Sequence, residues 1–351
     1  MMGVGVIPGS QNGHIAAAPG GFSLSRVVAE IESACTRIYG LARETPLVRL
    51  PGDPRIPPSV HAYAKLEQLQ VSGSFKLRGA SNKILSLSPE LAAAGVVTSS
   101  TGNHALGVAA AARYSAVDVE VFLCSQVAEA KRHKIESLGA RVRIVGQNPL
   151  DAELAARAEA DQSRRTYVPP YNDWQVMAGQ GTIAVELLRQ AQGLDAVFIA
   201  TGAGGLISGI GAYLKARSPR TAVVGCWPEN SRVLYECMRA GKIIEYPESY
   251  TLSESTAGGV EPGSITFDVA RAVIDRGVLV SEEAILDAMR WALEQGWTIE
   301  GSAGVALAAF FREAESHAGE NVAIVFCGGN LSPEVQRRLQ PGQPQTTASE
   351  G

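Results

Sequence analysis

Short apolar segments alternate with segments of helical periodicity through most of this 351-residue sequence. The apolar segments predict buried strands at 96–99, 119–124, 142–145, 197–200, 222–226 and 322–326. The periodic segments predict helices at 24–40, 128–138, 175–190 and 282–294, and a further alanine-rich helix after residue 103. This alternation is typical of α/β proteins, in which right-handed crossovers join parallel strands. The sequence therefore predicts an α/β fold built on parallel sheets.

Composition excludes several classes of function. The 31 basic and 35 acidic residues nearly balance, so no broad basic surface is expected and no nucleic-acid partner. No apolar run reaches membrane-spanning length, so we expect no membrane partner either. The five cysteines are odd in number and lack CxxC spacing, which argues against a zinc site or a disulfide framework and favours a cytoplasmic location.

Both ends of the chain are predicted to be disordered. Residues 1–21 are interrupted by Gly and Pro and contain no Lys or Arg, so they resemble a disordered tail rather than a signal peptide. Residues 341–351 are rich in Gln, Thr and Ser and form the second predicted tail.

Ligands of α/β proteins bind where strands end and helices begin, which draws attention to the glycine-rich segment 201–206. Small residues allow backbone N–H groups to converge on an oxyanion, and the helix dipole favours negative charge there. No Lys-Ser/Thr pair follows, so the segment is not a nucleotide P-loop. From this segment alone, a phosphate site and a simple tight turn are equally consistent.

A second segment, 99–104, also joins a predicted strand to a predicted helix. Its sequence Ser-Ser-Thr-Gly-Asn-His is rich in hydroxyl groups, and its backbone donors could hold a carboxylate. Taken alone, helix capping by Ser or Thr is the commoner role.

The third segment, 72–80, contains Lys76 at the start of a predicted helix. A single lysine is usually a solvated surface charge. Lys76, however, lies between Phe75 and Leu77, and the positive end of the helix dipole disfavours its protonation. A lysine amine with a lowered pKa forms imines with carbonyl cofactors.

With these segments the chain resembles the fold-type II pyridoxal-phosphate (PLP) enzymes, in particular the serine/threonine dehydratase and serine racemase group. The resemblance runs from about residue 38 to residue 331. It depends on ordered motifs at 65–70, 73–80, 100–104, 178–182, 202–205 and 327–330. Their common order makes a chance match very improbable.

The resemblance implies a role for several residues in these motifs. Lys76 would bind the cofactor covalently, with Phe75 packed beside it, and Asn103 would bond the ring hydroxyl. The backbone of the glycine-rich segment would hold the phosphate, through Gly202, Ala203, Gly204, Gly205 and Leu206. The substrate carboxylate would bind the loop formed by Ser100, Thr101, Gly102 and His104, and Thr101 is also a candidate catalytic acid.

Cys327 falls where this group places Ser or Cys beside the pyridine nitrogen. A neutral thiol is a weak donor, whereas a carboxylate there would keep the ring protonated. The resemblance therefore implies a weak electron sink and prompt loss of a β leaving group. A buried structural cysteine is the alternative.

Three departures from the group also carry expectations. Ala203 occupies a position that is often Gly, so its backbone serves only if its φ is negative. Trp227 and Val233 replace the acidic ligands of metal-activated relatives, so no metal site is expected. No regulatory domain is expected after residue 340, and hence no feedback inhibition by isoleucine.

The resemblance implies two α/β domains, similar to tryptophan synthase β, with PLP in the cleft between them. The larger domain would combine 22–94 and 166–340, and the smaller would span 95–165. The expected activity is conversion of threonine, serine or a related small β-hydroxy amino acid to a 2-oxo acid and ammonia, by a homodimer. The alternatives are serine racemisation, a dehydratase for hydroxyaspartate or a hydroxyectoine-derived amino acid, and a non-catalytic ligand sensor.

Overall fold

A computed structural model describes residues 23–340. Both tails that the sequence predicts to be disordered, at 1–21 and 341–351, lie outside the described residues. The strands are β1 Leu47–Arg49, β2 His61–Lys65, β3 Val96–Ser99, β4 Val119–Leu123, β5 Arg141–Ile144, β6 Thr166–Tyr167, β7 Ala196–Ala200, β8 Ala222–Pro228, β9 Arg276–Val280 and β10 Asn321–Val325. The helices are α1 Leu24–Ile38, α2 Lys76–Leu85, α3 Pro89–Ala94, α4 Asn103–Tyr114, α5 Glu129–Glu136, α6 Pro149–Ser163, α7 Trp174–Gln190, α8 Gly205–Arg217, α9 Val233–Ala240, α10 Ile265–Val273, α11 Glu282–Glu294, α12 Gly301–Glu313 and α13 Pro333–Leu339.

The strands form two separate sheets. The larger sheet has six strands in the order β1-β2-β10-β7-β8-β9, and the smaller has four in the order β5-β4-β3-β6. Every strand pair is parallel except β1 with β2. This topology confirms the predicted α/β class with parallel sheets.

Apolar strands occupy the middle of the larger sheet because helices cover both of its faces. All five residues of β7 are buried, and so are Val322 to Val325 of β10. α12 contacts β7 and β10, and α8 contacts β7 and β8. The predicted strands at 197–200 and 322–326 are thus confirmed to within one residue at either end.

The smaller sheet includes Thr166 and Tyr167, which pair with Val96 and Val97 of β3. It therefore reaches two residues past 165, where the sequence analysis placed the end of the smaller domain. The domain limits otherwise remain a prediction. Among residues 23–340, no helix has both the length and the apolar character needed to cross a membrane.

Candidate active site

The segment that precedes Lys76 is fixed by backbone hydrogen bonds to the chain just after β10. Phe75 donates its N–H to the carbonyl of Cys327, and Gly329 donates to the carbonyl of Gly73, each at 3.0 Å. Gly73 has a φ of +79°, a conformation that glycine adopts at little cost. α2 then begins at Lys76, which confirms its predicted place in the first helical turn. Two motifs far apart in the sequence thus meet at one end of the larger sheet.

The amine of Lys76 lies in the cleft between the two sheets. Its Nζ donates to the backbone carbonyl of Pro170 at 2.7 Å. Desolvation in the cleft lowers the pKa of Lys76 from an ordinary 10.5 to about 8, although Cys327 and Glu300 act in the opposite direction. A lysine with so low a pKa is partly neutral near physiological pH and can serve as a nucleophile or a base.

The glycine-rich segment 202–206 joins β7 to α8 and presents unused donors. α8 begins at Gly205 without a side-chain cap on its first turn. Within the described chain, none of the backbone N–H groups of 202–206 has a protein acceptor. Ala203 does not have a positive φ, which meets the condition set by the sequence analysis. Free N–H groups at a helix N-terminus favour an anion.

Glycine is required in this segment by close neighbours. A Cβ at Gly202 would lie 2.9 Å from the backbone of Thr256, and one at Gly205 would lie 2.8 Å from Cβ of Tyr171. Gly204 has a φ of +92°, a conformation that side chains other than glycine rarely adopt. Glycine at these positions therefore lets the backbone pack directly against its neighbours, which would clash with a side chain there.

The loop at 100–104 has the same character on the smaller sheet. Ser100 accepts a hydrogen bond from the N–H of Gly102 at 3.2 Å, so Ser100 caps the turn. In the part of the chain that the structure describes, the N–H groups of Thr101, Asn103 and His104 have no protein acceptor. The Thr101 hydroxyl likewise bonds no described residue, and it lines a cavity beside Lys76.

The His104 side chain is neutral, and its ring offers no N–H group to an anion. Burial, together with the nearby charge of Lys76, lowers its pKa to about 3 against the opposing effect of Val168. Its Nε2 lies 2.8 Å from the carbonyl of Val168 and must donate, so Nδ1 is an acceptor. That Nδ1 is buried without a hydrogen-bond partner. The group of His104 that is available to a carboxylate is therefore its backbone N–H, and the role of His104 in the loop remains a proposal.

Asn103 belongs to a network that sequence reasoning missed. Its Nδ2 donates to both carboxylate oxygens of Glu300, at 2.9 and 2.8 Å, and its Oδ1 accepts from Nδ2 of Asn330 at 2.7 Å. Glu300 also accepts from Ser255 at 2.7 Å and is 95% buried. The available signal was an acidic residue directly before the small-residue start of a helix, at α12.

Cys327 is linked to the same carboxylate through one hydroxyl. Its Sγ donates to Oγ of Ser302 at 3.2 Å, and Ser302 donates to Oε1 of Glu300 at 2.6 Å. Burial raises the pKa of the Cys327 thiol, and Glu300 raises it further. The thiol is therefore protonated at neutral pH, as the sequence analysis expected.

Two cavities meet at Lys76. The smaller, about 200 Å³, is lined by Phe75, Cys327 and the segment 202–206. The larger, about 390 Å³, is lined by the loop 100–104 and by Glu300. Lys76 lines both. The structure thus brings every predicted site residue to one of these two cavities, although their individual roles remain proposals.

Apolar packing fills the position at which the sequence analysis found Trp227 and Val233 in place of acidic ligands. Trp227 is 99% buried in β8, and its ring lies 5.5 Å from that of Tyr235 in an edge-to-face contact. Val233 begins α9. Residues 23–340 contain no group of three His, Cys, Asp or Glu side chains that could hold a metal ion. Metal independence itself remains a prediction.

The smaller cavity fits pyridoxal phosphate. The cofactor needs an anion site for its phosphate and an amine for its aldehyde, and the segment 202–206 and Lys76 supply them. The protonated thiol of Cys327 lines the same cavity and can donate only weakly. Fold and site together define a pyridoxal-phosphate enzyme of the α/β class.

Comparison with known proteins identifies the family. The family described as "Pyridoxal-phosphate dependent enzyme" matches residues 38–328, and the chain belongs to it. The L-threonine ammonia-lyase of Thermotoga maritima is 36% identical over 278 residues, which cover 79% of this chain and 69% of that protein.

Solved structures agree with this assignment. The processed form of threonine deaminase isoform 2 from Solanum lycopersicum superposes with a TM-score of 0.86 at 29% identity, covering 95% of this chain and 98% of that one. Serine racemase from Dictyostelium discoideum has a TM-score of 0.80 at 31% identity, covering 87% of this chain and 98% of that one.

Proposed function

We propose that this protein converts L-threonine, L-serine or a related small β-hydroxy amino acid to a 2-oxo acid and ammonia. The observation that carries the proposal is the position of Lys76, whose partly neutral amine faces both the anion cradle and the larger cavity. The similarity to proteins named threonine ammonia-lyase and threonine deaminase supports the choice of reaction.

Each element of the site has a part in this reaction. When bound, pyridoxal phosphate withdraws electrons from the α-carbon of an attached amino acid, which acidifies the α-proton. The N–H groups of 202–206 would hold the phosphate, and those of the loop 100–104 would hold the substrate carboxylate. The amine of Lys76 would take the α-proton as general base. Loss of the β-hydroxyl as water gives an enamine, and a second water hydrolyses it to the 2-oxo acid and ammonia.

The Asn103 and Cys327 side chains contribute neutral hydrogen-bonding groups to the site. Asn103 is held on both sides, by Glu300 and by Asn330, so its amide is fixed in orientation. The protonated Cys327 thiol is a weak donor, and its present hydrogen bond goes to Ser302. Weak stabilisation of a carbanion favours fast expulsion of a leaving group.

The test uses the protein loaded with pyridoxal phosphate and measures 2-oxo acid and ammonia formed from L-threonine and L-serine. We expect equal amounts of the two products and a loss of about 10⁴-fold in Lys76→Ala, because both covalent attachment and proton removal depend on the amine. Turnover that survives Lys76→Ala, or no product from any β-hydroxy amino acid, contradicts the proposal.

Serine racemisation is a second candidate, favoured by the Thr101 hydroxyl, which lines the larger cavity and bonds no described residue. A hydroxyl facing the α-carbon could return a proton from the side opposite Lys76. We expect elimination to dominate and any racemisation to disappear in Thr101→Ala, with 2-oxo acid formation largely retained. Chiral analysis of recovered serine beside the 2-oxo acid assay separates the two. Racemisation faster than elimination in the unmodified enzyme would reverse the order of the candidates.

A non-catalytic sensor is disfavoured because sensing needs no lysine of lowered pKa. We also propose a cytoplasmic location, supported by the five free cysteines, and a homodimeric state, supported by the resemblance alone. Sedimentation of the purified protein would test the second point.

A further inference from the structure

The mouth of the larger cavity carries lysine side chains on one wall. Lys131 and Lys134 of α5 line it on the side of the smaller sheet. Glu254, Asn330 and Ser332 line it on the opposite side. The charges at this mouth are not equally compensated.

The acidic groups at the cavity already have partners. Glu254 lies 3.5 Å from the amine of Lys131 and accepts a hydrogen bond from Ser332 at 2.7 Å. Glu300 accepts from Asn103, Ser255 and Ser302, as described above. Glu254 thus already faces a cation, whereas Glu300 is buried among neutral donors.

Lys134 differs because its partner is neutral. Its Nζ donates to Oδ1 of Asn330 at 2.7 Å, and no acidic side chain among the described residues lies within ion-pair distance. Like Glu300, Lys134 has a neutral hydrogen-bond partner and no ion pair among the described residues, but Glu300 is buried. Because Lys134 is exposed at the mouth, its amine is accessible to an entering molecule.

Lys134 is also coupled to the interior of the site. The Asn330 amide that accepts from Lys134 donates in turn to Oδ1 of Asn103 at 2.7 Å. Asn103 belongs to the loop proposed to hold the substrate carboxylate, so the positive charge stands two hydrogen bonds away from that loop.

We infer that the preferred substrate carries an anionic group, a carboxylate, on its side chain, and that Lys134 binds it. This inference rests on the proposed function and names the class of β-hydroxy amino acid within it. A carboxylate would replace the neutral Asn330 oxygen as partner of Lys134 with a charge-assisted hydrogen bond. A cationic side chain would meet an uncompensated like charge instead.

The experiment compares kcat/KM for L-threo-3-hydroxyaspartate and L-threonine in the holoenzyme and in Lys134→Met. The ratio should favour the acidic substrate in the unmodified enzyme and fall about two- to fivefold in the variant, which is the usual scale for one exposed charged contact. Lys134→Arg should restore most of the ratio. Added salt should reduce the ratio in the unmodified enzyme but not in Lys134→Met.

Arg132→Gln is the matched control. Arg132 lies on the same helix, pairs with Glu136 at 3.6 Å and does not line the cavity. Its removal takes one positive charge from α5 and should leave the ratio unchanged. An equal fall in the control would mean that the general field of the helix acts, and it would overturn a local contact with Lys134.

A binding measurement separates this inference from the proposed function. L-Aspartate and L-alanine lack the β-hydroxyl, and their dissociation constants can be read from the absorbance of the bound cofactor. L-Aspartate should bind more tightly, and Lys134→Met should remove the difference. If no β-hydroxy amino acid is converted, the proposed function fails but this comparison still decides on Lys134. If threonine is converted, and Lys134→Met changes neither the kcat/KM ratio nor the difference between the two dissociation constants, the inference fails and the proposed function stands.

Discussion

Two polar regions flank the same helix, α2, and they are built on opposite principles. The first, which we term the buried ion cluster, consists of Lys65, Glu67, Arg78 and Glu186, all with fully buried side chains. Arg78 contacts Glu67 at 2.7 Å and Glu186 at 2.6 Å, and Lys65 contacts Glu186 at 2.5 Å. Two positive and two negative charges thus satisfy one another.

The second region is the cleft around Lys76, where polar groups are left without partners. The N–H groups of 202–206 and of Thr101, Asn103 and His104 have no acceptor in the described chain, and Nδ1 of His104 has no donor there. Desolvation lowers the pKa of Lys76, whose contact is a carbonyl and not a carboxylate.

This difference separates buried polar groups that pair with one another from buried polar groups that are available to a ligand. A compensated buried charge is costly to break because removal of one partner leaves the other charge buried and unpaired, whereas unpaired donors cost stability and persist where a ligand completes them. α2 carries both: Arg78 anchors the helix in the cluster, and Lys76 extends into the cleft from its first turn.

Breaking the cluster should have the largest effect on stability. Glu186→Gln removes the carboxylate shared by Lys65 and Arg78. Two buried positive charges are then balanced by one carboxylate, that of Glu67, with no solvent to stabilise the excess. We expect a loss of about 3–5 kcal/mol in the free energy of unfolding, measured by urea titration.

The matched control for that variant is Asp118→Asn. Asp118 pairs with Arg141 at 2.7 Å, but its side chain is 42% exposed. The same chemical change there should cost about 1 kcal/mol or less. Similar losses in the two variants would contradict the view that the cluster is a special anchor.

The cleft should show the opposite behaviour through its pH dependence. The pKa of Lys76 is about 8 in the fold and near 10.4 in the unfolded chain, so below pH 8 the fold bears the cost of a desolvated charge. As pH rises from 8 to 10.4, the unfolded chain holds more protons and stability increases. The apoprotein should therefore gain up to about 3 kcal/mol relative to Lys76→Met over this range.

Urea titrations of both apoproteins at several pH values measure this difference, and Lys76→Met cancels the titration of other groups. A constant difference between the two proteins from pH 7 to 11 would show that the Lys76 pKa is not lowered.

The smallest expected effect is that of a chelator. Trp227 and Val233 stand where metal-activated relatives are expected to have acidic ligands, so activity should persist after exhaustive chelation. If chelation abolished most of the activity and magnesium or calcium restored it, a cation site would have to exist outside both regions.

The sequence predicted the parts of the site that depend on local order. A strand, a small-residue turn and a helix recur in that order at 99–104 and at 201–206, so both loops could be placed at sheet ends before the structure was known. Lys76 was identifiable because its neighbours are apolar and its motif is distinctive.

The contacts that join distant segments were not predictable in this way. Glu300 meets Asn103 only because the two sheets face each other, and His104 reaches Val168 because β6 pairs with β3 in the smaller sheet. The buried ion cluster likewise draws its charges from β2, α2 and α7, together with Glu67 in the turn after β2. Single-sequence patterns carry no information on such pairings, because the residues involved have ordinary polar neighbours along the chain.

The central claim is that Lys76, where the two cavities meet, binds the cofactor. Borohydride reduction of the holoenzyme followed by peptide mapping tests it directly, since reduction fixes the cofactor on the lysine that holds it. The account predicts the pyridoxyl mass on the peptide that contains Lys76 and on no other. A label on Lys131 or Lys134, which line the larger of the two cavities, would contradict it.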